Sequence, residues 1–122
     1  MTRTLATLAL VVAAVAGAQA HHSSAMYDQE KTLTLRGVIT QVRWTSPHVN
    51  FSVQADAARG QAGAAWVLEA TSPGNLMRAG WARTSLKVGD RISVVVAPLR
   101  DGTHGGWCRG VTLVDSGRKL EC

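Results

Sequence analysis

Four histidines and two cysteines are the residues of this chain with the most chemistry to offer. Two of them, His21 and His22, directly follow Ala18-Gln19-Ala20, the small-residue pattern that signal peptidases cut. Cleavage after Ala20 makes His21 the first residue of the mature chain. Its α-amine and its own Nδ1 then close a chelate ring on one metal ion. Both are borderline nitrogen donors, which by the Irving–Williams order suit Cu(II) best. One more imidazole completes a T-shaped set. His48 is the strongest candidate, because Pro47 restricts the backbone beside it. His22 offers a second mode, through the amine, the deprotonated backbone amide and its imidazole. His104, in a glycine-rich loop, is a weaker third choice. The amine has a reference pKa of ~8, so metal displaces a proton at neutral pH and affinity falls in acid. The plain alternative is that these histidines are exposed and idle, with His48 capping a turn.

The rest of the leader fits export. Met1-Thr2-Arg3-Thr4 is a short basic region, and Leu5 to Gly17 is an apolar run. A bilayer span takes roughly 20 apolar residues, so this run is too short to remain as an anchor. The expected division is a cleaved signal peptide over 1–20 and a single domain over 21–122, with an N-terminal arm over 21–31. The expected location is the periplasm or the medium, with no transmembrane anchor after processing.

An oxidising compartment changes the reading of Cys108 and Cys122. An even count there points to a disulfide. Closing a loop of about 15 residues contributes roughly 3 kcal/mol in the chain-entropy picture. Free thiols, or thiolates ligating Cu(I), are the alternatives.

Thirteen Lys and Arg stand against eight Asp and Glu, and Arg3 leaves with the leader. The cations are scattered, which suits a solvated surface with a mild attraction for anions. Scatter and export together disfavour nucleic acid. No nucleophile elbow, phosphate loop, zinc-protease helix or dinucleotide fingerprint is present. A non-enzymatic binding role is therefore expected, with an oxidative copper enzyme as the outlying reading.

The elements that must position these residues are mostly strands. Thr32 to Trp44 is a long first strand. Its apolar set moves from odd positions (Leu33, Leu35) to even ones (Val38, Val42, Trp44), which predicts a β-bulge at Gly37. Val49, Phe51, Val53 and Ala55 alternate with polar residues as a half-buried second strand. Ala65 to Ala70 is a third strand. Ser72 and Pro73 open a short helix as N-cap and first helical residue, with Leu76, Met77 and Trp81 facing the core. Arg91 to Ala97 and Trp107 to Val114 are the last two strands, and Asp115 to Cys122 is a polar tail. Tyr27 is the packing anchor of the arm. Three strands, a helix and two strands predict an all-β fold with one short helix, a small five-stranded OB-like barrel. A β-sandwich is the competitor.

The tryptophans read as core or edge packing, or as an aromatic platform for a sugar or other ligand. Trp44 and Trp107, beside turns, are the pair expected to be exposed, and His104 joins them on the loops.

Several segments together are distinctive: His21-His22-Ser23, Thr32-Leu33-Thr34-Leu35-Arg36-Gly37, Trp44-Thr45-Ser46-Pro47-His48, Ser72-Pro73-Gly74-Asn75-Leu76, Gly80-Trp81 and Leu86-Lys87-Val88-Gly89-Asp90. In these the chain resembles an exported bacterial family of unknown function, DUF6152. The resemblance implies a small exported β-domain and no established activity. The leading expectation is a periplasmic binding protein that holds copper through His21, His48 and His22. The alternative is an envelope interaction domain that binds a protein or glycan through barrel loops bearing Trp44 or Trp107.

Overall fold

A computed structural model describes residues 24–58 and 62–122. Among the described residues the named elements follow in order: β1 (Leu33–Arg43), β2 (Asn50–Ala55), β3 (Ala64–Glu69), α1 (Pro73–Arg78), β4 (Arg91–Pro98), β5 (Gly105–Leu113) and β6 (Lys119–Glu121). The strands run β3-β2-β1-β4-β5 side by side, and β3 also pairs with β5 in parallel. That last pairing, Val67 with Gly105 through Glu69 with Trp107, closes the sheet into a five-stranded barrel. The OB-like barrel expected from the strand and helix order is the fold observed.

β1 is long because it serves both β2 and β4. It does change face, but at Thr40 rather than at Gly37. The register against β2 runs Ile39 to Val53 and then Gln41 to Ser52, leaving Thr40 as the extra residue. Odd positions therefore face inward as far as Ile39, which is 1% exposed, while Val38 is only half-buried. Gly37 has a different task. A Cβ there would lie 2.2 Å from the Gln54 carbonyl oxygen, so the two backbones can approach only without a side chain.

The interior is filled by Phe51, Val53, Leu68, Ile92, Val94, Val96 and Val111, all essentially inaccessible. Each comes from the inward set of an alternating strand. α1 begins as its sequence requires: the Ser72 hydroxyl accepts from the Asn75 backbone N–H, and Pro73 occupies the first turn. Leu76 and Trp81 are buried, but Met77 is 57% exposed. Adjacent helix positions lie about 100° apart, so a single short turn lying on the barrel buries Leu76 and leaves its neighbour in solvent.

The tail is not a free polar segment. Lys119–Glu121 adds a short strand beside β5, Leu120 is buried, and the indole N–H of Trp81 donates to the Glu121 carbonyl at 2.6 Å. Cys108 and Cys122 form a disulfide with a Cα–Cα distance of 5.6 Å. The pairing removes both thiolates from the list of possible metal ligands.

The start of the described chain lies across the barrel as an arm. Tyr27 bridges to Leu99, Asp28 N–H donates to the Pro98 carbonyl, and Arg100 N–H donates to the Met26 carbonyl. β5 has its own irregularity, with the register against β4 skipping Arg109. The guanidinium of that residue donates to the Gln29 carbonyl and to the Thr32 hydroxyl, and so fastens the arm from below. A bulge re-aims the residue it carries, and here it aims a cation at the arm.

Candidate functional site

The polar corner at the closure of the barrel is built by four elements. β3 turns Trp66 and Leu68 inward, so Glu69 faces outward. Its partner across the parallel closure is Trp107, and its partner across the β2–β3 ladder is Asn50. The ladder continues past Asn50 through Val49, whose N–H donates to the Thr71 carbonyl and whose carbonyl accepts from Ala70. This extension holds His48 beside Glu69. The Ser46–Pro47 peptide is cis, and Asn50 Nδ2 donates to the His48 carbonyl at 3.2 Å. The arm supplies Tyr27 from above.

The contacts are specific. His48 Nδ1 pairs with Glu69 Oε1. Tyr27 OH donates to Glu69 Oε2 at 2.7 Å. The imidazole stands edge-on to Trp107, with ring centroids 5.5 Å apart, and Tyr27 packs on the same indole at 5.8 Å. An ionised carboxylate can only accept, so it is Nδ1–H of His48 that faces Glu69, and in the neutral form of the ring that tautomer puts the lone pair on Nε2. Among the described residues nothing bonds Nε2. About a third of the His48 side chain is exposed (33%).

Tyr27 is 5% exposed. Burial first, and then the hydrogen bond to Glu69 and its charge, push the phenol well above its ordinary pKa near 10. The phenol is thus a permanent neutral donor. With both carboxylate oxygens engaged, Glu69 is fixed in orientation, and it fixes the imidazole in turn.

The residues singled out from the sequence are distributed as follows. His48 and Trp107 lie in this corner. His104 stands elsewhere, exposed and stacked on Trp66 at a centroid distance of 5.1 Å. Trp44 is half-buried and lines a separate recess with Arg83, Leu86, Lys87 and Val88. His21 and His22 lie outside the described residues. Among the described residues no three His, Cys, Asp or Glu side chains converge as a metal site. Sequence reasoning missed Glu69 altogether. The usable signal was its outward position on β3, but its neighbours follow only from the register of β2 on β3 and from the closure onto β5.

Two solved structures are similar to the chain. The crystal structure of the mitochondrial single-stranded DNA binding protein Rim1 from S. cerevisiae superposes with a TM-score of 0.51 at 9% identity, over 69% of this chain and 93% of that one. A structure of TiaS in complex with agmatine matches at a TM-score of 0.48 and 18% identity, over 71% of this chain and 22% of that one. The first likeness shows an OB-type barrel and nothing about ligands. No curated protein matches the sequence. The family model of DUF6152, a family of unknown function, matches residues 8–108, most of the chain. The distinctive histidine, proline and glycine segments and the barrel that carries them are therefore those of a DUF6152 protein, and the chain belongs to that family.

Proposed function

We propose that the chain is an exported binding protein that holds a copper ion between its processed N-terminus and His48. One observation carries this reading: Glu69 holds His48 through Nδ1, and Nε2 is left without a hydrogen-bond partner among the described residues. Metal-ligating histidines almost always donate their other ring N–H to a carboxylate or carbonyl, which fixes the tautomer and raises ligand basicity. The same carboxylate anchors Tyr27, six residues after His21. Six residues span at most about 20 Å, so a mature N-terminus beginning at His21 is within chain reach of the corner. The α-amine and Nδ1 of His21 supply two ligands, Nε2 of His48 a third, and His22 stands by as the second mode. Copper is the metal that a set of three nitrogens favours most.

The test is a Cu(II) titration of protein purified from the periplasm, after mass spectrometry has fixed its first residue. Tight one-to-one binding is expected. It should be lost on adding one residue before His21, and lost again in His48→Ala. Glu69→Gln should weaken it about 10- to 100-fold, as removing an outer-shell partner does elsewhere. Binding that ignores the extra residue, or that survives His48→Ala, overturns the assignment.

A further inference from the structure

Neither His48 nor His104 lines a recess on another part of the described barrel. Val42, Trp44, Arg83, Leu86, Lys87 and Val88 line a solvent-facing recess of about 290 Å³. One face of it is apolar, made by the half-buried indole of Trp44 with Val42, Leu86 and the exposed Val88. The other chemistry is cationic. Neither Arg83 nor Lys87 forms an ion pair among the described residues, and no Asp or Glu lines the recess. The carboxylate of Asp90 accepts from the Lys87 backbone N–H at 2.8 Å and keeps its charge outside the lining of this recess. Two cations against no lining carboxylate make the recess itself positive on balance.

The wall that carries the cations is rigid. Ser85 Oγ accepts from Ala82 N–H at 2.8 Å, and Ser85 N–H donates back to the Ala82 carbonyl at 2.9 Å. Asp90 N–H returns to the Lys87 carbonyl at 3.0 Å. Gly89 N–H donates to the Ile39 carbonyl, and Ile39 N–H donates to the Asp90 carbonyl, which ties the turn to β1. A loop held this way loses little freedom on binding, so its contacts convert more fully into affinity.

We infer that this recess binds a carboxylated sugar ring of the uronic-acid type. The volume of about 290 Å³ falls just below the range of drug-sized sites, which starts at about 300 Å³, and so suits a single ring. A pyranose lays its C–H face on an indole while its carboxylate meets the cations. The recess opens to solvent, so the ring hydroxyls keep their water. A flat aromatic acid would want enclosure on both faces, which this recess does not provide.

The test is nuclear magnetic resonance of the isotope-labelled protein titrated with sodium glucuronate, with glucose, acetate and benzoate as separate probes. Glucuronate should shift the Trp44 indole N–H and the amides of residues 83–88 in a saturable way. Glucose, which lacks the charge, and acetate, which lacks the ring, should each bind at least fivefold more weakly. Arg83→Gln combined with Lys87→Gln should lower glucuronate affinity at least tenfold with the melting temperature unchanged, since both side chains are exposed. Absence of saturable shifts, shifts centred elsewhere, or equal affinity in the double variant overturns the proposal. Tighter binding of benzoate than of glucuronate overturns the sugar assignment.

Discussion

Tyr27 and Glu69 are 42 residues apart in sequence and 2.7 Å apart in space, phenol oxygen to carboxylate oxygen. This bond joins the arm to the strand that closes the barrel. It also leaves the second oxygen of Glu69 for His48. One carboxylate thus coordinates the placement of the arm and the orientation of the imidazole.

Tyr27 is the only tyrosine of the chain, so its ionisation can be followed without interference from another. Its pKa is raised, by burial first and then by Glu69. A raised pKa means that the folded state keeps a proton which the unfolded chain loses near pH ~10. The resulting stabilisation is complete below that pH and is lost as pH rises through the folded value. Alkaline titration should show tyrosinate absorbance only as the arm undocks or the chain unfolds, read in parallel by circular dichroism and Trp fluorescence. Tyrosinate forming near its ordinary pH in a fully folded, docked protein contradicts the burial. Tyr27→Phe should cost roughly 1.5–3 kcal/mol, since it removes a hydrogen bond to a charged acceptor.

Asp56, just after β2, pairs at 2.7 Å with Arg91, the first residue of β4, across the intervening β1. The hydrogen bond to the guanidinium holds the Asp56 carboxyl below its usual range. A depressed pKa contributes stability above the unfolded value of about 3.9, and that contribution is lost as pH falls through the folded value. Wild type should therefore lose melting temperature more steeply than Asp56→Asn between about pH 5 and pH 3. Both partners are well exposed, so the difference should be small and should shrink further in high salt. Parallel pH profiles in low salt would show that the pair does not contribute.

The Cys108–Cys122 bond encloses a sequence separation of 14 and holds β6 against β5. Cys122→Ser should lower unfolding free energy by roughly 3 kcal/mol, the loop-entropy value. Urea denaturation with and without reductant checks this. Reductant should destabilise wild type by a similar amount and leave the variant unmoved. Equal midpoints for both proteins under oxidising conditions would argue against the staple.

Leu76 and Met77 are neighbours with opposite fates. Leu76→Ala opens a cavity in the core and should cost about 2–5 kcal/mol, while Met77→Ala should stay within about 0.5 kcal/mol of wild type. Denaturant midpoints of the two variants separate the outcomes. Similar losses for both would mean that the helix is set on the barrel by a different face.

What the sequence reveals here is mostly local. The cap at Ser72 and Pro73 was readable because its partners lie within one turn. The second strand was readable because one face is buried and the other is not. Tyr27 stood out as the one aromatic side chain of a polar arm. The bulge was misplaced because glycine signals both an irregular strand and a close backbone approach, and at Gly37 the second cause operates. β6 was missed because Leu120 is the lone large apolar residue of a polar stretch, and its burial depends on a strand remote in sequence. Glu69 was missed for a related reason. Its importance follows from a register and a barrel closure, which no run of neighbouring residues encodes.

Arg109 ties the chain like a knot. Its side chain holds Gln29 and Thr32, and its carbonyl accepts the Cys122 N–H at 3.2 Å. Segments some ninety residues apart along the chain therefore meet on one amino acid. A circular permutant that joins residue 122 to the arm by a short linker, and opens the chain at an exposed turn elsewhere, should keep the barrel. For the same reason a bulky fusion after residue 122 would crowd the arm from which the copper-binding amine is proposed to extend.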